Sequence, residues 1–180
     1  MPSLNVISSE RDATLSGIAT RCEHAYWIDS LDEIPDLLGR VDRSADTLDL
    51  IGHSTRGHNY LRIAQTPIDM LDPHVRQSIS RLRTSDALQR RGICRVRLLG
   101  CETAVTPAGQ RTMAWLGKVL GVAVFGTTKP LAKSHYATAG FNPQFDHLLV
   151  EAGSLPVPRS RLKISRVGSW REALEAASGR

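Results

Sequence analysis

Three short apolar runs, each closed by a glycine, constrain this chain more than any other feature. They are Leu48-Asp49-Leu50-Ile51-Gly52, Val96-Arg97-Leu98-Leu99-Gly100 and Val122-Ala123-Val124-Phe125-Gly126. Runs so poor in polar positions suit central strands covered on both faces rather than strands with one wet face. Helical punctuation fills the stretches between them. Asp72-Pro73 reads as an N-cap and a proline at the first helical position, with Val75, Ile79 and Leu82 on one face. Thr106-Pro107 repeats the signal ahead of Met113, Leu116 and Leu120, and Gly121 ends that helix. Strands that alternate with helices imply parallel neighbours joined by crossovers. The expected class is α/β: a three-layer α/β/α sandwich with a mostly parallel central sheet.

Weaker signals fill in the remainder. Residues 25–29 read as a strand, and Ser30 with Glu33 has the spacing of a capping box ahead of Ile34, Leu37, Leu38 and Val41. Pro35 places the start of the regular helix near itself rather than at Ser30. Residues 60–64 alternate as a short extra strand that would wall one side of a cleft, and a further helical turn through Ala87 and Leu88 ends at Gly92. Residues 4–8 read as an edge strand followed by a polar loop or short helix, residues 145–150 as a strand or helix, and residues 170–177 as a terminal helix. No repeat or second domain is visible, so the reading is one domain over residues 1–180, with a core of about 24–150 and a C-terminal tail of 151–180.

Composition excludes several classes. With 180 residues, 41% of them hydrophobic and 23% charged, the chain is long enough to bury a core without disulfides. The three cysteines, Cys22, Cys94 and Cys101, are odd in number and lack CxxC spacing, which argues against a disulfide framework or zinc knuckle and for a reducing compartment. The amino terminus has no basic region leading into an apolar one and no run reaches membrane-spanning length, so the expectation is a cytoplasmic protein without a membrane partner. The net charge of +5 rests largely on helical faces carrying Arg81, Arg83, Arg90 and Arg91, without an aromatic-and-basic motif, which disfavours nucleic acid as a partner.

In parallel sheets the ligand crevice lies at the carboxyl ends of the strands. There the first run delivers Gly52-His53-Ser54 and the second delivers Gly100-Cys101-Glu102. If the two runs are neighbours, a thiol and an imidazole meet, a nucleophile with its base. Cys22 and Cys94 read as small core hydrophobes and His58 as a loop residue.

These two blocks, 48 positions apart between His53 and Cys101 and so close to the spacing of ~50 known in caspases, resemble those of the caspase-like cysteine peptidases. That group includes caspases, separase, gingipain, clostripain and the bacterial CHAT domains. Residues 26–130 carry the resemblance, and the segment Leu98-Leu99-Gly100-Cys101-Glu102-Thr103-Ala104 is closest to CHAT-like bacterial proteins. The resemblance implies a caspase-like fold and a cysteine endopeptidase acting through a Cys-His dyad and a thioacyl-enzyme. Cys101 would be the nucleophile and His53 the proton shuttle, and the backbone N–H groups of Ser54 and Cys101 would hold the oxyanion. Ser54 stands where the family usually has glycine. Glu102, Thr127 and Thr128, with Asp49, are candidates for the substrate pocket. No cofactor or metal is implied. The implied partners are a protein or peptide substrate and, for so small a catalytic domain, an activating protein or a second copy of the chain.

Three other readings compete. Gly52-His53-Ser54-Thr55-Arg56 partly echoes the serine-hydrolase elbow G-x-S-x-G, with Arg56 where the second glycine should stand. A metal site from His53, His58 and Cys101 lacks a carboxylate or second thiol to complete it. The serious alternative is a catalytically inactive caspase-like scaffold or regulatory module, against which the retention of both His53 and Cys101 argues.

Overall fold

The computed structural model describes residues 3–10, 12–42 and 44–154. The strands in chain order are β1 (Ser3–Ser8), β2 (Ala25–Ile28), β3 (Thr47–Ile51), β4 (Arg62–Ile63), β5 (Thr66–Pro67), β6 (Arg95–Leu99), β7 (Ala123–Thr127), β8 (Tyr136–Ala137), β9 (Gly140–Phe141) and β10 (Leu149–Glu151). The α-helices are α1 (Ala13–Ala19), α2 (Ile34–Arg40), α3 (Pro73–Thr84), α4 (Ala87–Arg90) and α5 (Pro107–Leu120). Six strands form one sheet in the order β10-β7-β6-β3-β1-β2, and β4-β5 and β8-β9 form two small hairpins. Every pairing in the large sheet is parallel except that of the edge strand β10 with β7. The fold is thus α/β with a central, mostly parallel sheet.

Alternation along the strands sorts the core into two layers. Leu4 and Val6, Leu48 and Leu50, Val96 and Leu98, and Val124 face one side, where they pack with Ile34 and Leu38 of α2, Val75 and Ile79 of α3, and Met113 and Leu116 of α5. Ile7, Ile51 and Leu99 face the other, against Leu15 and Ile18 of α1 and against Tyr136 and Phe141 of the β8-β9 hairpin. Layers on both faces of the sheet are consistent with the expected three-layer sandwich, one outer layer being thin.

Local signals explain the helix starts. Ser30 and Glu33 form a reciprocal capping box on a 3-10 turn, Leu31–Glu33, and α2 begins at Ile34 with Pro35 in its first turn. The Asp72 carboxylate caps α3 and the Thr106 hydroxyl caps α5, each followed by proline, and Gly121 closes α5 in the left-handed region at φ 70°.

Three expectations change. The first run, residues 4–8, is not an edge strand: β1 lies between β3 and β2, all six of its residues are buried, and the core therefore begins well before residue 24. Cys94 is exposed rather than a core thiol, its Sγ directed at Asp46 O. Residues 145–150 divide between a 3-10 turn, Pro143–Leu148, and the antiparallel β10. The terminal helix expected over residues 170–177 lies outside the described residues.

Two glycines test the packing in opposite directions. Gly39, exposed near the end of α2, has nothing within 4 Å of a Cβ built on it, so Gly39→Ala raises stability by about 0.5–1 kcal/mol. A Cβ on Gly52 would sit 2.3 Å from the backbone oxygen of Arg62, so Gly52→Ala costs about 1–3 kcal/mol. Urea melts of the two variants read out both signs.

Candidate active site

Three adjacent strands, β1, β3 and β6, send their carboxyl ends to one edge of the sheet. Ile51 of β3 pairs with Leu99 of β6, and beyond that last pair Gly52 N–H donates to Leu99 O at 3.3 Å. His53 and Cys101 therefore stand at equivalent positions, each two residues past the pair. Both continue the alternation of Ile51 and Leu99, toward the α1 side of the sheet. On that side lies Tyr136, whose phenol burial, with the Asp49 charge nearby, pushes well above its ordinary pKa.

The glycines before these residues admit the chain that passes over them. Residues 53–62 fold back as a loop closed by the Ser54–Leu61 bridge, with Thr55 N–H donating to Tyr60 O and Arg62 N–H to His53 O, both at 2.8 Å. A Cβ on Gly100 would meet Ser54 Oγ at 2.5 Å and Leu61 Cδ1 at 2.9 Å. Ser54 has a negative φ, so it needs no glycine-like backbone; Gly57, at φ +87°, takes up the turn. The hydroxyl of Ser54 is buried without a hydrogen-bond partner among the described residues.

Two backbone amides lie here. Gly100 C=O accepts from Thr127 Oγ1 on the β7 side at 2.6 Å, so the trans peptide turns Cys101 N–H the opposite way, toward β3. His53 C=O accepts from Arg62, whose guanidinium is paired with Glu10 beyond β1. By the same rule Ser54 N–H points away from the Arg62 N–H that His53 C=O accepts from.

The turn that carries Cys101 is held by two threonines. Thr103 Oγ1 donates to Leu98 O (2.8 Å) and accepts from Thr127 N–H (2.9 Å). Thr127 Oγ1 accepts from Thr103 N–H (3.1 Å), and Ala104 N–H donates to Thr127 O (3.0 Å). Glu102, at the apex, adopts the left-handed conformation at φ 58°, a strain of about 1–2 kcal/mol for an L side chain that the clasp must hold.

The clasp corrects two pocket expectations. Thr127 is fully buried with its hydroxyl committed to backbone, so it braces the turn that carries Cys101 instead of lining a pocket. Asp49 is also fully buried and meets Arg97 Nε and Nη2 at 2.6 Å each, so it too lines nothing. Burial alone would lower the Arg97 pKa, but the Asp49 carboxylate raises it. Thr128 donates its hydroxyl to Leu148 O at 3.0 Å, which leaves Glu102 as the half-exposed candidate beside Cys101. His58 lies apart, in an open groove lined also by Arg56, Tyr60, Leu71 and His74. Cys22 is a core thiol whose pKa burial, with Asp49 nearby, pushes up to about 11.

The residue that local pattern reading missed is Asp12. It follows β1, caps α1 through Oδ1 with Thr14 N–H (2.6 Å) and Leu15 N–H (3.0 Å), and turns Oδ2 to a short hydrogen bond with His53 Nε2. Its burial would raise its pKa, but the bonds from His53, Leu15 and Thr14 and the charge of His53 outweigh it and hold the carboxyl below its ordinary value. The side chains of His53 and Asp12 are 35% and 39% exposed, within reach of a substrate. The signal in the sequence was Asp12-Ala13-Thr14-Leu15, an N-cap pattern whose second, non-local use local pattern cannot reveal.

No protein-family model matches the chain, and no curated protein matches it. Among the described residues no three His, Cys, Asp or Glu side chains gather to hold a metal ion, and no helix is long and apolar enough to cross a membrane.

The clasp yields a prediction. Thr127→Val keeps shape but strands Gly100 C=O and Thr103 N–H in the interior, and the expected cost is about 1–3 kcal/mol per stranded group. Hydrogen exchange at residues 100–104 quickens, while protection in β1 stays as it was.

Proposed function

We propose that this protein is a cysteine endopeptidase of the caspase-like type, CHAT-like in its motifs, that cleaves a protein or peptide substrate through a thioacyl-enzyme. The observation that carries the reading is the equivalent placement of His53 and Cys101 just beyond the Ile51–Leu99 pair on neighbouring parallel strands. The resemblance read from the sequence calls for a histidine at one strand end and a cysteine at a later one, and adjacency adds what spacing in sequence does not supply.

The chemistry follows from the groups present. The Cys101 thiol gives its proton to His53 and the thiolate attacks the scissile carbonyl carbon, forming a C–S bond and a tetrahedral oxyanion. In this scheme Cys101 N–H and Ser54 N–H are the donors for that oxyanion. His53 returns the proton to the leaving amine as the C–N bond breaks. Water, deprotonated by the same imidazole, then hydrolyses the thioester and frees the thiol. Glu102, half-exposed beside the nucleophile, favours a basic residue on the acyl side of the bond. No cofactor takes part in this scheme, and recognition by an activating protein or a second copy accords with the small size of the domain.

Labelling with acyloxymethyl ketone peptides that vary in the residue next to the ketone tests this reading by intact mass. One label on the wild type, absent from Cys101→Ala and His53→Ala and retained in Cys94→Ala, is the expected result. A wild type that stays unlabelled under every peptide, while iodoacetamide still alkylates Cys101, would count for the scaffold reading. Ser54→Ala removes only the unpartnered hydroxyl and keeps the amide, so labelling persists at the wild-type rate.

A further inference from the structure

We infer that Asp12 is the third member of the catalytic constellation, a positioning residue that fixes the tautomer and orientation of His53 and so makes a Cys-His-Asp triad of what the sequence presents as a dyad. The inference rests on the peptidase reading for its consequence, and on the Asp12–His53 contact for its substance.

A carboxylate accepts hydrogen bonds and donates none, so the nitrogen that faces it must carry the proton. His53 Nε2 faces Asp12 Oδ2; the neutral ring is therefore the Nε2–H tautomer, and its lone pair is on Nδ1. That nitrogen has no partner among the described residues and is the one left for a thiol, a leaving amine or a water. Asp12 is itself held in place. Oδ1 is fixed by two amides of α1, which leaves Oδ2 a single direction in which to accept. The carboxylate comes from the end of β1, the imidazole from the end of β3 and the thiol from the end of β6, three strands in consecutive order.

The proton balance closes without another reactant. Cys101 S–H passes its proton to Nδ1, giving an imidazolium whose Nε2–H remains bonded to Asp12. Nδ1 then returns the proton to the departing nitrogen, and Asp12 stays ionised throughout. Asp12 is the one charged partner of the ring among the described residues, and Glu10, two residues before it, is paired with Arg62 at 2.9 Å. Because Asp12 is shifted down, the anionic form that orients the ring is fully present above the ordinary carboxylate range and is lost only as pH falls through the lowered value.

The decisive variant is Asp12→Asn. Asparagine caps a helix as well as aspartate does, so α1 keeps its start while the amide NH2 turns to Nε2 and drives the ring proton to Nδ1. Nitrogen-15 NMR of ring-labelled protein, with His53→Gln to assign the signal, reads the tautomer directly. Nε2–H in the wild type and Nδ1–H in Asp12→Asn is the expected pair of results. With it, ketone labelling falls about 10²-fold or more in Asp12→Asn, and Asp12→Glu recovers part of the loss. A cap alone would leave the tautomer of Asp12→Asn as it is in the wild type. That outcome, or Nδ1–H in the wild type, overturns the inference. Failure of the peptidase reading looks different: the wild type takes no ketone label, yet its ring still reports Nε2–H.

Discussion

The Asp49–Arg97 pair fixes the register on which everything else depends. The two residues are direct partners on β3 and β6, bound bidentately in a sheet whose core is mostly aliphatic. Aliphatic side chains tolerate a slip of two residues, since alternation is preserved and leucine replaces leucine. A buried aspartate does not when the slip sets it opposite Leu99, which would leave its charge unpaired at a cost of about 3–5 kcal/mol, and a slip the other way, opposite Arg95, gives up the bonds of Arg97. Arg97 also reaches Ser3 Oγ at 2.9 Å and lies 5.4 Å from the Phe141 ring centroid, which ties β1 and the β8-β9 hairpin to the same anchor. With the register set, Ile51 must oppose Leu99, and His53 must come out beside Cys101.

What the sequence made legible was whatever has local grammar. The buried strand at residues 47–51, the capping box at Ser30 and Glu33, and the two X-Pro helix starts were readable because each depends on neighbours within a few positions. The neighbouring placement of the His53 and Cys101 strand ends was readable for a related reason: a glycine after an apolar run marks a strand end, and parallel topology places strand ends together. Residues 4–8 were misjudged because Asn5 and Ser8 make the run look half-polar, although both are fully buried. Ser8 finds a backbone partner 56 positions away, the N–H of Ala64. Asp12 escaped, and Thr127 was read as a pocket residue rather than a brace, for the same cause. Each is a polar side chain whose partner is distant in sequence, and neither periodicity nor propensity carries information about such a partner.

The candidate site divides into side chains that are presented and side chains that hold them. Cys101 and His53 are presented on short turns. The bracing comes from elsewhere: the Thr103–Thr127 clasp behind one turn, and for the other the 53–62 loop that fits over Gly52 and Gly100. Glu102 keeps a conformation it would abandon in a free peptide, and the clasp explains how it is kept there. Apolar packing beneath the turns supplies most of the stability, while a few directed hydrogen bonds decide where two side chains point.

Thr128 donates both its N–H and its hydroxyl to Leu148 O, so the segment of residues 129–147 leaves the sheet and returns to it at almost the same point. A loop pinned at its root can change in length or composition without pulling on the strand beneath it, as long as Tyr136 and Phe141 still fill the layer over Ile51 and Leu99. The turn that carries Cys101 and the segment of residues 129–147 are thus held by separate sets of bonds. One is fixed by the clasp between the turn after β6 and the end of β7, and the other hangs from Thr128, the residue that follows the clasp.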